Sequence, residues 1–285
     1  MAKKAKIIAG IIILSLANIL PAEISSDEIK KIESAIPKKA TVAPKKARKL
    51  LVFNLANGYK HPSIPYCARA LELMGKKTGA FETVQSEDMA AFRPENMNKF
   101  DAVCLNNSSL LDFNEPLLRQ GLMDFIKNGK GVIGVHGAIN NFQNWPEAAE
   151  MMGGLFDGHP WTETGTWAVK NEDPNHPVAA AFGGKDFEIN DEIYRIKGVN
   201  LRKNCLVLLS LDMTKPVNLN VKGIRPTDKD IPVSWVRNFG KGRLFYCSLG
   251  QNNHIFWNPK VLQHYLDGIQ FALGDLPANA APVIR

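Results

Sequence analysis

Four of the six histidines stand where an apolar run gives way to a loop of small or amide residues. His61 follows Leu50–Leu55 through Asn57, Gly58 and Tyr59. His136 closes Val132–Val135, His254 follows Leu244–Leu249, and His159 lies in the loop Gly158-His159-Pro160-Trp161. A neutral imidazole in such a place can move protons near neutral pH or bind a zinc-like divalent ion. His61, His136, His159 and His254 are therefore expected to meet in one pocket, as metal ligands or proton-transfer groups. His176, after Asp173-Pro174-Asn175, and His264, within the last helical pattern, read as structural.

The sharpest feature is Gly134-Val135-His136-Gly137-Ala138, a strand running into a tight turn of small residues. In a nucleophile elbow this geometry pushes a Ser or Cys out at the top of a sheet. With imidazole at the apex, acyl transfer gives way to proton transfer or ligation. A partner acid or base must reach that ring, and Asp191-Glu192, before Ile193-Tyr194-Arg195, is the natural carboxylate pair. Trp145, Trp161 and Trp167 offer flat apolar faces, and Asn140, Asn141 and Asn144 offer amides, as a sugar ring requires.

Such residues need a scaffold that brings strand ends to one rim. From Leu50 onward, short apolar runs alternate with helical patterns, the text of a mostly parallel sheet with helices on both faces. Strands are predicted at 50–55, 81–84, 102–105, 131–135, 166–169, 193–196, 206–211, 231–236 and 243–248, and helices at 63–77, 116–127 and 259–273. Ligands of an open parallel sheet bind outside the carboxyl ends of its strands, where the histidines fall. Without an internal repeat, residues 50–285 read as one domain, with the loop between Met213 and Ile231 covering an edge.

The chain has 285 residues and a formal charge of +7, which invites a nucleic-acid partner. The charge is unevenly placed: residues 50–285 carry 24 basic and 24 acidic side chains, so the excess lies in the first 49 residues. A neutral folded body releases few counterions, and nucleic acid is set aside as a partner. Residues 1–22 read as an export signal, because Lys3, Lys4 and Lys6 precede the apolar run Ile7–Leu20 and then Pro21-Ala22. That run is short for a membrane span, so the expected location is periplasmic or extracellular, with membrane contact only through the signal. Residues 23–49 hold Pro37, Pro44 and paired lysines but no aromatic residue, and are expected to be an unstructured basic linker, at most locally helical around Ser26–Ile36. Cys67, Cys104, Cys205 and Cys247 are each embedded in apolar sequence without C-x-x-C spacing, and read as buried hydrophobes.

No G-x-G-x-x-G follows the first strand, and G-x-x-x-x-G-K-[ST], H-E-x-x-H and G-x-S-x-G are absent, so no nucleotide cofactor is expected. Several blocks together resemble the trehalose-utilisation (ThuA-like) family: His61-Pro62-Ser63-Ile64, Leu73-Met74-Gly75, Gly131–His136, Met152-Gly153-Gly154-Leu155-Phe156-Asp157-Gly158-His159-Pro160-Trp161, His176-Pro177, Asp191–Tyr194 and Gly240-Lys241-Gly242-Arg243. The resemblance implies a flavodoxin-like sheet of the class I glutamine-amidotransferase type, with His136 in the place of the amidotransferase cysteine and hence no glutaminase chemistry. It further implies action on disaccharides, including 3-keto-glycosides, and a divalent metal such as zinc held by strand-end histidines. Two positions depart from the family pattern. Gln251 follows Leu249-Gly250 where a His is usual, and Asn140 stands where an Asp is frequent; both keep hydrogen-bonding shape but lose coordination or charge.

The resulting expectation is an exported protein acting on a small carbohydrate by hydrolysis, elimination or isomerisation. Catalysis falls to His136, Asp191 and Glu192, metal binding to His61, His136, His159 and His254, and substrate contact to Asn140, Trp145, Trp161, Tyr194 and Gln251. The competing expectation is a non-catalytic carbohydrate-binding module in the same cleft.

Overall fold

The computed structural model describes residues 24–111, 113–198 and 201–283. The expected export signal, residues 1–22, lies outside them. Among the described residues no helix is long and apolar enough to cross a membrane.

Short apolar runs build the centre. Strands β1 (Lys49–Phe53), β2 (Glu82–Ser86), β3 (Ala102–Asn106) and β4 (Gly131–Val135) pair in parallel in the order β2-β1-β3-β4. Of the later strands, β5 (Leu155–Phe156) and β8 (Ile196–Lys197) form a separate antiparallel pair. The strands β6 (Thr166–Asn171), β7 (Phe187–Asn190), β9 (Leu206–Leu211), β10 (Pro232–Phe239) and β11 (Gly242–Cys247) extend the main sheet. Its order is β2-β1-β3-β4-β11-β10-β9-β6-β7, and β11 continues the parallel part before β10, β9, β6 and β7 run antiparallel. The parallel half has the doubly wound order 2-1-3-4-5, whose chain reversal beside β1 and β3 opens a crevice at the strands' carboxyl ends.

Alternation along the strands feeds two cores. Leu50 and Val52 of β1 pack into one and Leu51 and Phe53 into the other; Ala102 and Cys104 of β3 divide from Val103 and Leu105 in the same way. The helices Ile64–Thr78 and Pro259–Ala272 cover the first face, and Pro116–Lys127 the second, each opening on a proline in its first turn. The four cysteines are buried free thiols.

Two expectations are corrected here. Residues 24–48, read as an unstructured linker, are ordered as a strap. Ser25 and Glu28 form a capping box on the helix Ser26–Ala35, and Ile32 and Ile36, four residues apart, enter the first core. Beyond it, Gln270 Oε1 accepts from the Thr41 N–H at 2.8 Å, and Arg48 Nε donates to Asp275 Oδ2 at 3.0 Å. The helix at 26–35, which the sequence did suggest, packs against the helix at 64–78 and the turn at 253–257, partners that local composition does not reveal. The strand expected at 193–196 is also mostly irregular: Ile193 makes a single bridge to Trp161, and only Ile196 is paired. On the side away from β9, β6 pairs with β7, an edge strand with only Ile189 buried.

Candidate active site

The carboxyl ends of β1, β3, β4 and β11 are sewn together by short polar side chains. Ser63 Oγ donates to the Gly250 carbonyl at 2.6 Å, Asn107 Nδ2 donates to the same oxygen at 3.2 Å, and Asn107 Oδ1 accepts the Gly137 N–H at 3.1 Å. A side chain at Gly137 would strike the His61 ring and the Asn107 carbonyl, so only glycine lets the elbow approach this closely. His136 itself has φ of 39°, the strained left-handed conformation of an elbow apex. The strain presents its imidazole inward, and the ring is fully buried.

The His136 ring has a defined tautomer. Nδ1 lies 2.6 Å from the Ser248 carbonyl, which can only accept, so Nδ1 carries the proton and Nε2 presents a lone pair. Among the described residues that lone pair has no hydrogen-bond partner of good geometry. Glu192 Oε1 stands 3.4 Å from it, while Glu192 Oε2 stands 2.7 Å from Nδ1 of His159. One carboxyl group thus spans two imidazoles, one wholly buried and one half exposed. Burial holds His136 down at about 4, and burial lifts the Glu192 carboxyl to about 7 against the opposing pull of His159. Near neutral pH the base is unprotonated and the acid is at its midpoint.

Tyr194 completes the cluster. Its ring lies over His136 with centroids 4.1 Å apart, and its hydroxyl is 3.2 Å from His61 Nε2. Burial, reinforced by the Glu192 charge, keeps that hydroxyl protonated well above its usual range. His61 packs edge-on against His136 at 5.0 Å, and burial depresses it to about 3, helped by the neighbouring His136. The Gln251 amide interacts with the His136 ring, and its buried Oε1 has no other partner among the described residues.

Other expected residues fall elsewhere. Asp191 is fully buried, but its oxygens accept from the Gly250 and Asn252 N–H groups at 2.6 and 2.8 Å, so it braces the loop after β11 rather than facing the imidazoles. Its burial raises it to about 8 against those donors. His254 points its Nε2 at the Asn190 carbonyl, 2.9 Å away, and lines a different groove with Phe187 and Trp257. Trp161 is a core residue with no exposed surface, its indole N–H donating to the Asn218 carbonyl at 2.9 Å. Trp145 packs between Phe113 and Phe142 beside a separate cavity of about 300 Å³, and Asn140 takes the Gln143 amide at 3.2 Å. His176 and His264 cap or pin helical segments, as a structural reading requires.

The four histidines do not all meet: His254 is held by the Asn190 carbonyl, away from His61, His136 and His159. Among the described residues no group of three His, Cys, Asp or Glu is placed to hold an ion. Asn107, Ser63 and Ser248, to which the sequence reading gave no role, do the positioning. Asn107 and Ser248 were signalled as polar residues at the ends of apolar strands, and Ser63 stands at the start of the helix 64–78.

The loop bearing Glu192 and Tyr194 is anchored just beyond them. Arg195 Nε donates to Asp228 Oδ1 at 2.7 Å and its Nη2 to Asp228 Oδ2 at 2.5 Å, a fork-on-fork pair with both side chains nearly buried. Arg195→Ala would strip the buried Asp228 of its fork-on-fork partner and leave it the Arg225 N–H and charge, and denaturant unfolding is expected to show a loss of about 3 kcal/mol. The double variant Arg195→Met, Asp228→Leu should recover most of it.

Comparison with known proteins agrees with this geometry. The family model described as trehalose utilisation (ThuA) matches residues 49–272, most of the chain. The chain belongs to the ThuA family. A ThuA-like protein from Bacteroides uniformis shares the fold at a TM-score of 0.64 with 21% identity, over 81% of this chain and 94% of that one. Another from Parabacteroides merdae gives 0.62 and 19%, over 82% and 93%. A cytoplasmic protein from Salmonella typhimurium gives 0.54 and 13%, over 79% and 98%. No curated protein matches. The ThuA sheet is thus the flavodoxin-like, amidotransferase-type α/β architecture, with imidazole at its elbow.

Proposed function

We propose that this ThuA protein acts on a disaccharide or 3-keto-glycoside by proton transfer at His136 and Glu192, and that residues 1–22 direct its export. The observation that carries the chemistry is Glu192 bridging the buried His136 and the half-exposed His159. A proton next to a ketone is acidic enough for an imidazole to remove. His136 Nε2 takes the hydrogen from the carbon beside the carbonyl, and the electron pair of that C–H bond forms a carbon–carbon double bond. The glycosidic carbon–oxygen bond breaks, and protonated Glu192 supplies the proton that the departing oxygen needs. Tyr194, kept protonated by burial, donates to the ketone oxygen where negative charge grows. The proton then held on His136 Nε2 passes to the Glu192 carboxylate 3.4 Å away, which resets both groups, and His159 on the other carboxyl oxygen gives Glu192 its contact with solvent.

Elimination is favoured over direct hydrolysis because the pair available is an imidazole base and a carboxylic acid, not two flanking carboxylates. Asp191, the other carboxyl group nearby, is committed to backbone N–H donors. Incubation with trehalose and 3-keto-trehalose, followed by sugar analysis, should show cleavage of the ketone and none of trehalose. Cleavage of trehalose alone, or of neither sugar, would overturn the reading.

A further inference from the structure

Among the described residues, those other than glycine with positive φ all lie in two segments: Asn107 and Leu110 after β3, and His136 and Phe142 after β4. Backbone of this kind is strained, and it gathers where a fold holds a site in place. Asn107 and His136 belong to the proton-transfer centre. Leu110 and Phe142, at φ of 50° and 61°, take no part in it, and both wall the cavity of about 300 Å³ beside Trp145. Buried Asn141 locks the two segments together: its Oδ1 accepts the Leu111 N–H at 2.9 Å, and its Nδ2 donates to Ser108 Oγ at 2.9 Å.

Among the described residues, the wall of this cavity carries a single charge. It is Arg119, on the helix Pro116–Lys127. Arg119 Nε donates to the Phe113 carbonyl at 2.6 Å, and the guanidinium lies over the Trp145 ring, 5.2 Å from its centroid. These two contacts fix the guanidinium plane, while among the described residues neither Nη has a hydrogen-bond partner and no acid pairs with it. Glu115 and Glu147, which flank the lining in sequence, are already paired with Arg93 and Lys127. The rest of the wall is mainly aromatic, from Phe113, Phe142 and Trp145, with the Gln143 amide at its exposed side.

A positioned guanidinium with free Nη donors matches a carboxylate, because its fork can give two parallel hydrogen bonds to the two oxygens. Aromatic walls match a flat apolar body, and the volume is at the small end of the range for ligand sites. We propose that this cavity binds a small aromatic carboxylate, its charge on Arg119 and its ring against the aromatic wall. The site is separate from the His136 centre and does not rest on the carbohydrate reading above.

Calorimetry on the full chain with benzoate and with its neutral isostere benzamide tests the site. Benzoate should bind about tenfold more tightly, the worth of one charge-assisted hydrogen-bond pair. Arg119→Met keeps an apolar stem over Trp145 and should remove that preference. Gln143→Glu, at an exposed position, brings a negative charge to the wall; it should lower benzoate affinity several-fold and leave benzamide unchanged. His136→Gln should keep the wild-type preference. Equal affinities in the wild type, no binding of benzoate at millimolar concentration, or a preference that survives Arg119→Met would overturn the site. A preference lost in His136→Gln would move benzoate to the other centre and overturn it as well. If Arg119→Met loses the wild-type near-UV dichroism, Gln143→Glu decides, and unchanged benzoate affinity in that variant overturns the proposal.

Discussion

His136→Ala is expected to lower turnover of 3-keto-trehalose by about 10³-fold, the middle of the range for losing a positioned general base. The imidazole is prepared for that role by two features that substitution removes together. The Ser248 carbonyl fixes the proton on Nδ1, and burial keeps the ring neutral down to about 4. Truncation also leaves the Ser248 carbonyl and a small cavity in the interior, so loss of fold must be separated from loss of base. His136→Gln does this, because its amide can still donate toward Ser248 while offering no base. Both variants should be inactive, with His136→Gln retaining the wild-type far-UV and near-UV dichroism; an active His136→Gln would remove the imidazole from the mechanism.

Glu192→Gln is expected to cost about 10²–10³-fold in turnover and to change the pH profile, which a structural role would not do. The sign follows from the two ionisations. His136 must be neutral to accept a proton, and it becomes charged as pH falls through about 4. Glu192 must be protonated to donate one, and it loses that proton as pH rises through about 7. His159, Tyr194 and Glu163 face the same carboxyl and set its balance: His159 and Tyr194 lower it, and Glu163 raises it. Wild-type turnover should therefore be flat between these limits and fall on either side. In Glu192→Gln the residual activity should lose the fall above about 7 and keep the acid limb. An alkaline limb that persists in the variant would assign it to another group.

Much of this arrangement was legible beforehand, and the reasons differ between its parts. The runs Leu50–Phe53, Ala102–Leu105 and Gly131–Val135 are buried on both faces, so each announced a parallel strand by continuous apolarity. His136 was legible because a turn of small residues can fold sharply only one way. Glu192 was legible as one of a pair, but which member faced the imidazoles was set by the irregular backbone just after β7, where Ile193 makes a single bridge to Trp161. Asp191 and Glu192 took opposite directions, one to the loop amides and one to the rings. The tryptophans misled for a different reason: a large flat side chain suits a sugar and a core equally, and the bridge between Trp161 and Ile193 drew that ring inside. The local helix of the strap was legible around Ser26–Ile36, but its docking was not, because Ile32 and Ile36 find their partners in the folded body and the paired lysines dominate the local composition.

Protonation decides the chemistry of the His136–Glu192 pair, and nuclear magnetic resonance reads it at single atoms. With nitrogen-15 histidine and side-chain carbon-13 glutamate labels, assigned through His136→Gln and Glu192→Gln, the wild-type chain can be titrated from pH 5 to pH 8. His136 should stay neutral throughout with its proton on Nδ1, and the Glu192 carboxyl should titrate with a midpoint near 7. An imidazolium at His136 by pH 6, or a Glu192 already ionised at pH 5, would contradict the proton-transfer centre.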